Sequence, residues 1–230
     1  MVRRVIPSTR RRDGADHYGS LREGGCAKTS LAMILSATLV SDGYRVAVID
    51  ADPNACYFQW HKLYEGPAID CSCEIRQEEI VDVAQAKAVD FEVVLIDTAG
   101  FGNTTAAFAA GTADLVLIPV MPDRASAVEA MRTARQVQAF GKAGRREIPF
   151  RIIRSRWNPR GLVERAIVSD LEAAGMPLME QHLSDLSDFG KLSLSGKVPL
   201  GGKVGTQARL LVTELASCAP LPPVPARRAA

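Results

Sequence analysis

The chain has 230 residues, of which 47% are hydrophobic and 23% charged, enough apolar side chain for one medium-sized domain and too much for a chain disordered over most of its length. Its 28 Lys and Arg nearly balance 26 Asp and Glu, so the net charge of +2 excludes a global basic field; affinity for nucleic acid has to come from a local patch. The longest apolar stretch, around Leu31 to Val40, falls short of the ~20 residues a bilayer span needs, and the arginines near the start precede no apolar signal segment.

In chain order, residues 1–21 are polar, basic and glycine-containing, with strand character only at Val2, Val5 and Ile6. Arg22 to Ser30 then leads into a helical pattern at Leu31, Leu35 and Leu39. Short apolar runs at Val46–Ile49, Val93–Ile96, Leu115–Ile118 and Phe150–Ile153 do not alternate with polar residues, which predicts strands covered on both faces. Between and after them, helical spacing recurs at Ile80–Ala84, Val128–Val137 and Val163–Leu171; a further strand near Leu178 and a helix over Ala208–Ala216 follow. Strand and helix alternate, so the expected fold is α/β, a mostly parallel twisted sheet with helices on both faces and a ligand crevice at the carboxyl ends of the strands. The expected organisation is a divergent basic segment over 1–21, one α/β domain over 22–218 and an extended or disordered Pro-rich tail over 219–230.

Three segments carry chemistry. In Arg22-Glu23-Gly24-Gly25-Cys26-Ala27-Lys28-Thr29-Ser30, a small-residue turn before a helix offers backbone N–H groups to an anion, Lys28 adds charge and the Thr29 hydroxyl can hold Mg²⁺. An ordinary strand-to-helix turn is the alternative. The run Val46 to Asn54 ends a strand with Asp50 and Asp52 on one side of the chain, and Val93 to Gly100 ends another with Asp97. Acids at strand ends beside a phosphate loop suit a water-mediated Mg²⁺ site; either acid alone could equally be a turn or helix-capping residue.

With these residues in hand, the sequence resembles the ParA/MinD family of P-loop ATPases with a deviant Walker A motif, most closely the short ParA-type partition proteins. The likeness covers roughly residues 22–217 and extends through Ala113 to Val120 and the Arg156 to Arg160 region. It implies a P-loop NTPase fold with ATP and Mg²⁺ as cofactors. Gly24, Gly25, Cys26, Ala27, Lys28, Thr29, Ser30, Asn158 and Pro159 would bind nucleotide, with Lys28 on the β- and γ-phosphates. Thr29 would ligand the metal, Asp97 hold a metal-bound water and Asp50 support the loop or the metal shell. Lys28 and Asp52 are the expected catalytic residues, Asp52 by orienting the attacking water.

The pattern departs from the family at one place. The signature lysine falls on Glu23, a reversal of charge, and Ala27 replaces the glycine before Lys28, which costs about 1–2 kcal/mol if that position needs a positive φ and nearly nothing if it does not. The strand expected to run straight into the loop is displaced or degraded by the polar stretch Pro7 to Leu21.

The function implied is a partition ATPase for plasmid or chromosome: a homodimer on ATP binding, non-specific DNA binding, hydrolysis stimulated by a ParB-type partner, no membrane, and a cytoplasmic or nucleoid-associated location. The alternative is a catalytically impaired ParA-like protein that binds nucleotide or DNA. Residues 142–165 carry eight Lys and Arg (Lys142, Arg145, Arg146, Arg151, Arg154, Arg156, Arg160, Arg165) against Glu147 and Glu164, a candidate DNA surface or simply a solvated charged face. The five scattered cysteines suggest reduced thiols.

Overall fold

Residues 3–7, 26–100, 104–185, 191–192, 194–219 and 221–222 are described by the computed structural model. The elements are β1 (Arg3–Pro7), α1 (Cys26–Ser41), β2 (Val46–Ala51), α2 (Cys56–His61), β3 (Asp70–Cys73), α3 (Ile80–Asp90) and β4 (Val93–Thr98). There follow α4 (Thr104–Thr112), β5 (Leu115–Val120), α5 (Arg124–Ala143), β6 (Phe150–Trp157), α6 (Leu162–Ala173), β7 (Leu178–Ser184) and α7 (Gly202–Cys218). The seven strands form one sheet in the order β3-β2-β4-β1-β5-β6-β7, and every pair is parallel. The α/β parallel arrangement expected from the sequence is the one observed.

The non-alternating runs explain the layers. All six residues of β2, of β4 and of β5 are buried, because helices cover both sides of the sheet. Val46, Val48, Val93, Leu95, Leu115 and Leu117 pack on one side with α1 and α7. Ala47, Ile49, Val94, Ile96, Val116 and Ile118 pack on the other with α3, α4, α5 and α6. Successive strand residues thus serve two separate cores. Trp157 is 2% exposed in the second of these, so it is a packing residue. No helix among the described residues is long and apolar enough to cross a membrane.

Arg3–Pro7 is the middle strand, hydrogen-bonded to β4 on one side and β5 on the other. The sheet therefore draws its centre from the segment that the sequence sets before residue 22. The strand is displaced from the helix it serves: residues 8–25, which include Glu23, Gly24 and Gly25, separate it from α1 and lie outside the described residues, as does most of the Pro-rich tail.

Candidate active site

The first turn of α1 places Lys28 and Thr29 in a buried position, 5% and 8% exposed, with Ala27 and Ser30 half-buried beside them. Ala27 is helical and is absent from the non-glycine residues with positive φ, so its Cβ costs no backbone strain. That resolves one of the two departures in the loop in favour of a normal helix start.

Parallel pairing of β2 with β4 sets Asp50 opposite Asp97 in register. Both follow the alternation of Val46, Val48 and of Val93, Leu95, and so both point to the face that α1 covers. Asp50 is fully buried and both its oxygens are engaged: Oδ1 accepts the Asp52 N–H at 3.1 Å and Oδ2 the Phe58 N–H at 2.9 Å. It braces the end of β2 against α2. Burial pushes its pKa up, and those backbone donors pull it back.

Asp97 is 1% exposed, and neither of its oxygens completes a hydrogen bond. Burial pushes its pKa up to about 7, the Asp50 charge adds to the rise, and the nearby Thr29 hydroxyl and Lys28 ammonium oppose it. A buried carboxylate without donors is costly unless something outside the chain satisfies it. Asp52, half-exposed, also acts on Asp97; its Oδ1 accepts the Asn54 N–H at 2.8 Å, and its carbonyl accepts the Ala55 N–H at 2.8 Å. This turn enters α2 through Ala55 at φ 49. After Asp97, Gly100 turns at φ 147, a conformation that side chains rarely adopt. Lys28, Thr29, Asp50, Asp52 and Asp97 therefore meet at the carboxyl end of the sheet.

The end of β6 reaches the same helix. A crevice beside α1 is lined by Ala27, Ser30 and Ile34 of the helix, Ser155 and Arg156 of β6, and Leu183 of β7. These two β6 residues lie three positions ahead of Asn158 and Pro159, the ones the motif singles out. Asn158 instead closes its own turn, its Oδ1 accepting the Arg160 N–H at 3.2 Å, and Pro159 lines a separate cleft with Trp157, Glu164 and Val168. Ser155 carries no signal in the sequence, and Arg156 is marked there only as part of the basic run 142–165 and of the Arg156 to Arg160 region.

The basic segment is also sorted by the fold. Arg146 donates to the carbonyls of Gly111 and Ala113, and Arg154 to those of Met179 and Glu180, so both tie neighbouring segments of the fold together. Lys142, Arg145 and Arg151 line a cavity of about 830 Å³ with Gln138, Arg146 and Glu147. It lies at the amino end of β6, the opposite end of the sheet from Asp50 and Asp97. Among the described residues no group of three His, Cys, Asp or Glu could hold a metal ion, and Cys71, Cys73 and Cys218 are free thiols.

Comparison with known proteins places this geometry. The profile of the VirC1 protein family matches residues 18–208. A protein ParA of Rhizobium radiobacter is 27% identical over 177 residues, covering 73% of this chain and 80% of that protein, and a virC1 protein of Rhizobium rhizogenes is 28% identical over 185 residues, covering 77% and 80%. Among solved structures, a Cyanothece McdA variant in complex with ATP superposes with a TM-score of 0.70 at 13% identity, covering 96% of this chain and 97% of that one. The MinD cell division protein of Aquifex aeolicus gives 0.70 at 16% identity, covering 92% and 97%. The chain belongs to the VirC1 family, and its fold is that of the ParA/MinD P-loop ATPases.

Proposed function

We propose that this protein is a partition-type ATPase that binds ATP with Mg²⁺, closes into a homodimer, holds DNA without sequence preference and releases it when a ParB-type partner stimulates hydrolysis. One observation carries the nucleotide part: the unpartnered Asp97 carboxylate on the face of the sheet where Lys28 and Thr29 begin α1. A hydroxyl and one remote carboxylate suit a cation that keeps most of its waters, as Mg²⁺ does. When bound, Mg²⁺ would neutralise charge on the β- and γ-phosphates. In this reading the backbone of Gly24 to Ser30 would cradle the phosphates, Lys28 would contact the β and γ groups, Thr29 would ligand the metal and Asp97 would hold one of its waters. Asp52 orients the attacking water. Asp50, with both oxygens engaged, acts by holding the turn that carries Asp52. The ATP complex of a protein with the same fold supports nucleotide as the ligand.

DNA is assigned to the Lys142, Arg145 and Arg151 cavity, because Arg146 and Arg154 each reach two backbone carbonyls, whereas Arg151 gives a single N–H to the Phe150 carbonyl at 2.9 Å. A cytoplasmic or nucleoid-associated location follows from this reading.

A second reading, a ParA-like protein that binds nucleotide without turning it over, rests on Glu23 alone, since Ala27 is unstrained. Measuring ATP binding and DNA-stimulated hydrolysis separates the two. The first reading expects turnover in the parent protein, lost on Asp52→Ala with binding retained, and loss of binding on Lys28→Ala. Turnover that appears only in Glu23→Lys establishes the second. If neither the parent nor Glu23→Lys binds ATP, both fail.

A further inference from the structure

In the helical layer over the Ala47–Ile49 side of the sheet, α4 lies between α3 and α5 and touches both. The inward residues of each helix fix what it shows to solvent. Ile80, Ala84 and Ala88 of α3 are buried, so the helical step turns Asp82, Ala86 and Val89 outward, and all three are exposed. Ala127, Ala130, Ala134 and Val137 of α5 are buried, which turns Val128, Arg132, Arg135 and Ala139 outward. Val89 is 82% exposed and Val128 52%; Phe108, on the outer side of α4 between them, is 42% exposed. Single apolar side chains on a surface need no explanation. Here three neighbouring helices each present one on the same face.

The charges on this face are divided by helix. The outward acid of α3 is Asp82, and the lysine of that helix, Lys87, is held by Asp70. The outward charges of α5 are Arg132 and Arg135. Among the described residues none of Asp82, Arg132 and Arg135 has an ion pair. Along α5 runs a shallow hollow of about 440 Å³, lined by Val128, Met131, Arg132, Arg135, Gln136 and Ala139. The acidic helix therefore carries a projecting valine, and the basic helix carries a groove.

Spacing and order then select the occupant. Asp82 and Val89 are seven residues apart, and so are Val128 and Arg135, about 10.5 Å along each axis. The acid precedes the valine in α3, whereas the valine precedes the arginine in α5. Only an antiparallel alignment sets Val89 against Val128 and Asp82 against Arg135 together. A two-fold axis standing on the helical layer at α4 reverses the direction of a partner's helices and exchanges α3 with α5. We infer that this face binds a second copy of the chain: α3 of each protomer lies along α5 of the other, with the two Phe108 rings near the axis. The contact forms without nucleotide, because the layer stands clear of the strand ends that carry Asp50 and Asp97.

Sedimentation velocity over a concentration series, in EDTA and without nucleotide, tests this on the full chain beside Asp82→Arg, Arg135→Asp, the double reversal and Val128→Asp. A dimer that weakens with salt is expected in the parent. Each single reversal should weaken it about five- to thirtyfold, since every exposed pair occurs twice in a two-fold dimer. The double reversal should restore association, a recovery that a loss of folding would not produce; Val128→Asp should leave monomer with an unchanged melting temperature. A parent that stays monomeric at every concentration overturns the inference, as do single reversals without effect or a double reversal that fails to recover. Retention of DNA lost in Arg135→Asp while self-association is unchanged also overturns it, by giving the α5 groove to nucleic acid. None of these outcomes bears on ATP binding, which is measured separately.

Discussion

Asp50 and Asp97 stand side by side in neighbouring strands, equally buried, and do different work. Asp50 spends its charge on two backbone donors that hold β2 to α2, whereas Asp97 has no donor of its own. Removing them should therefore have opposite effects on the empty protein. Asp50→Ala leaves two part-buried N–H groups unsatisfied and is expected to cost about 2–4 kcal/mol. Asp97→Asn removes a buried charge whose desolvation outweighs the help of Thr29 and Lys28, and is expected to raise the melting temperature in EDTA while abolishing the proposed Mg²⁺-dependent hydrolysis. Thermal melting beside an ATPase assay checks both; a lowered melting temperature for Asp97→Asn would show that the carboxylate is satisfied within the chain. His182 offers a pH-dependent case. Burial lowers its pKa first, and the charges of Arg154 and Lys203 lower it further. Above the free value of about 6.5 the ring is neutral in both states and costs nothing. As pH falls through that value the unfolded chain takes the proton first, so the native state loses stability. His182→Gln is expected to lose less melting temperature than the parent between about pH 7.5 and 5.5.

At the level of elements, α2 is the support on which the acid-bearing turn depends. It is a short helix with no side-chain cap, too short to persist by propensity. Its order comes from anchors: the Tyr57 hydroxyl lies 2.7 Å from Ser36 Oγ of α1, and Trp60 Nε1 donates to the Leu192 carbonyl at 3.0 Å. The Tyr57 and Trp60 rings meet edge to face at 5.3 Å. Tyr57→Phe should cost about 1 kcal/mol, because Ser36 keeps its bond to the Met33 carbonyl and is not orphaned. Ser36→Ala combined with Tyr57→Phe should cost less than the two singles together. Denaturant titration of the three variants checks this, and strict additivity would mean that the two hydroxyls do not interact.

Over the whole molecule, the strand ends that carry Asp50 and Asp97 and the Lys142–Arg145–Arg151 cavity lie at opposite ends of one sheet. Cations at the end of α5 also complement its helix dipole, which accounts for Lys142 and Arg145 but not for Arg151, whose position is set by β6. If the cavity holds DNA, affinity falls steeply with salt. The Lys142→Ala/Arg145→Ala/Arg151→Ala triple variant should then lose about two to three units of salt slope. Arg160→Ala, outside the cavity, should not. DNA retention independent of salt, or unchanged in the triple variant, places DNA elsewhere.

Contiguous runs made much of this readable in advance. Val46–Ile49, Val93–Ile96 and Leu115–Ile118 announce doubly covered strands, since burial on both faces removes the alternation that a half-exposed strand needs. Lys28, Thr29, Asp50, Asp52 and Asp97 are likewise marked by their place at strand ends and a helix start. Other features depend on residues distant in sequence. Arg3–Pro7 is too short and too charged to declare itself a central strand; pairing with β4 and β5 makes it one. Asp50 and Asp97 become unequal only through what each touches, and Arg146 leaves the basic surface only because the carbonyls of Gly111 and Ala113 lie within its reach. Trp157 shares the parity of Ile153 yet is buried in the other core, with Arg156 at φ 54 just before it, and no pattern in the sequence marks this break in the alternation of β6. Pattern and composition specify elements through short-range preferences, while partners, strain and free charge are settled where separate elements pack.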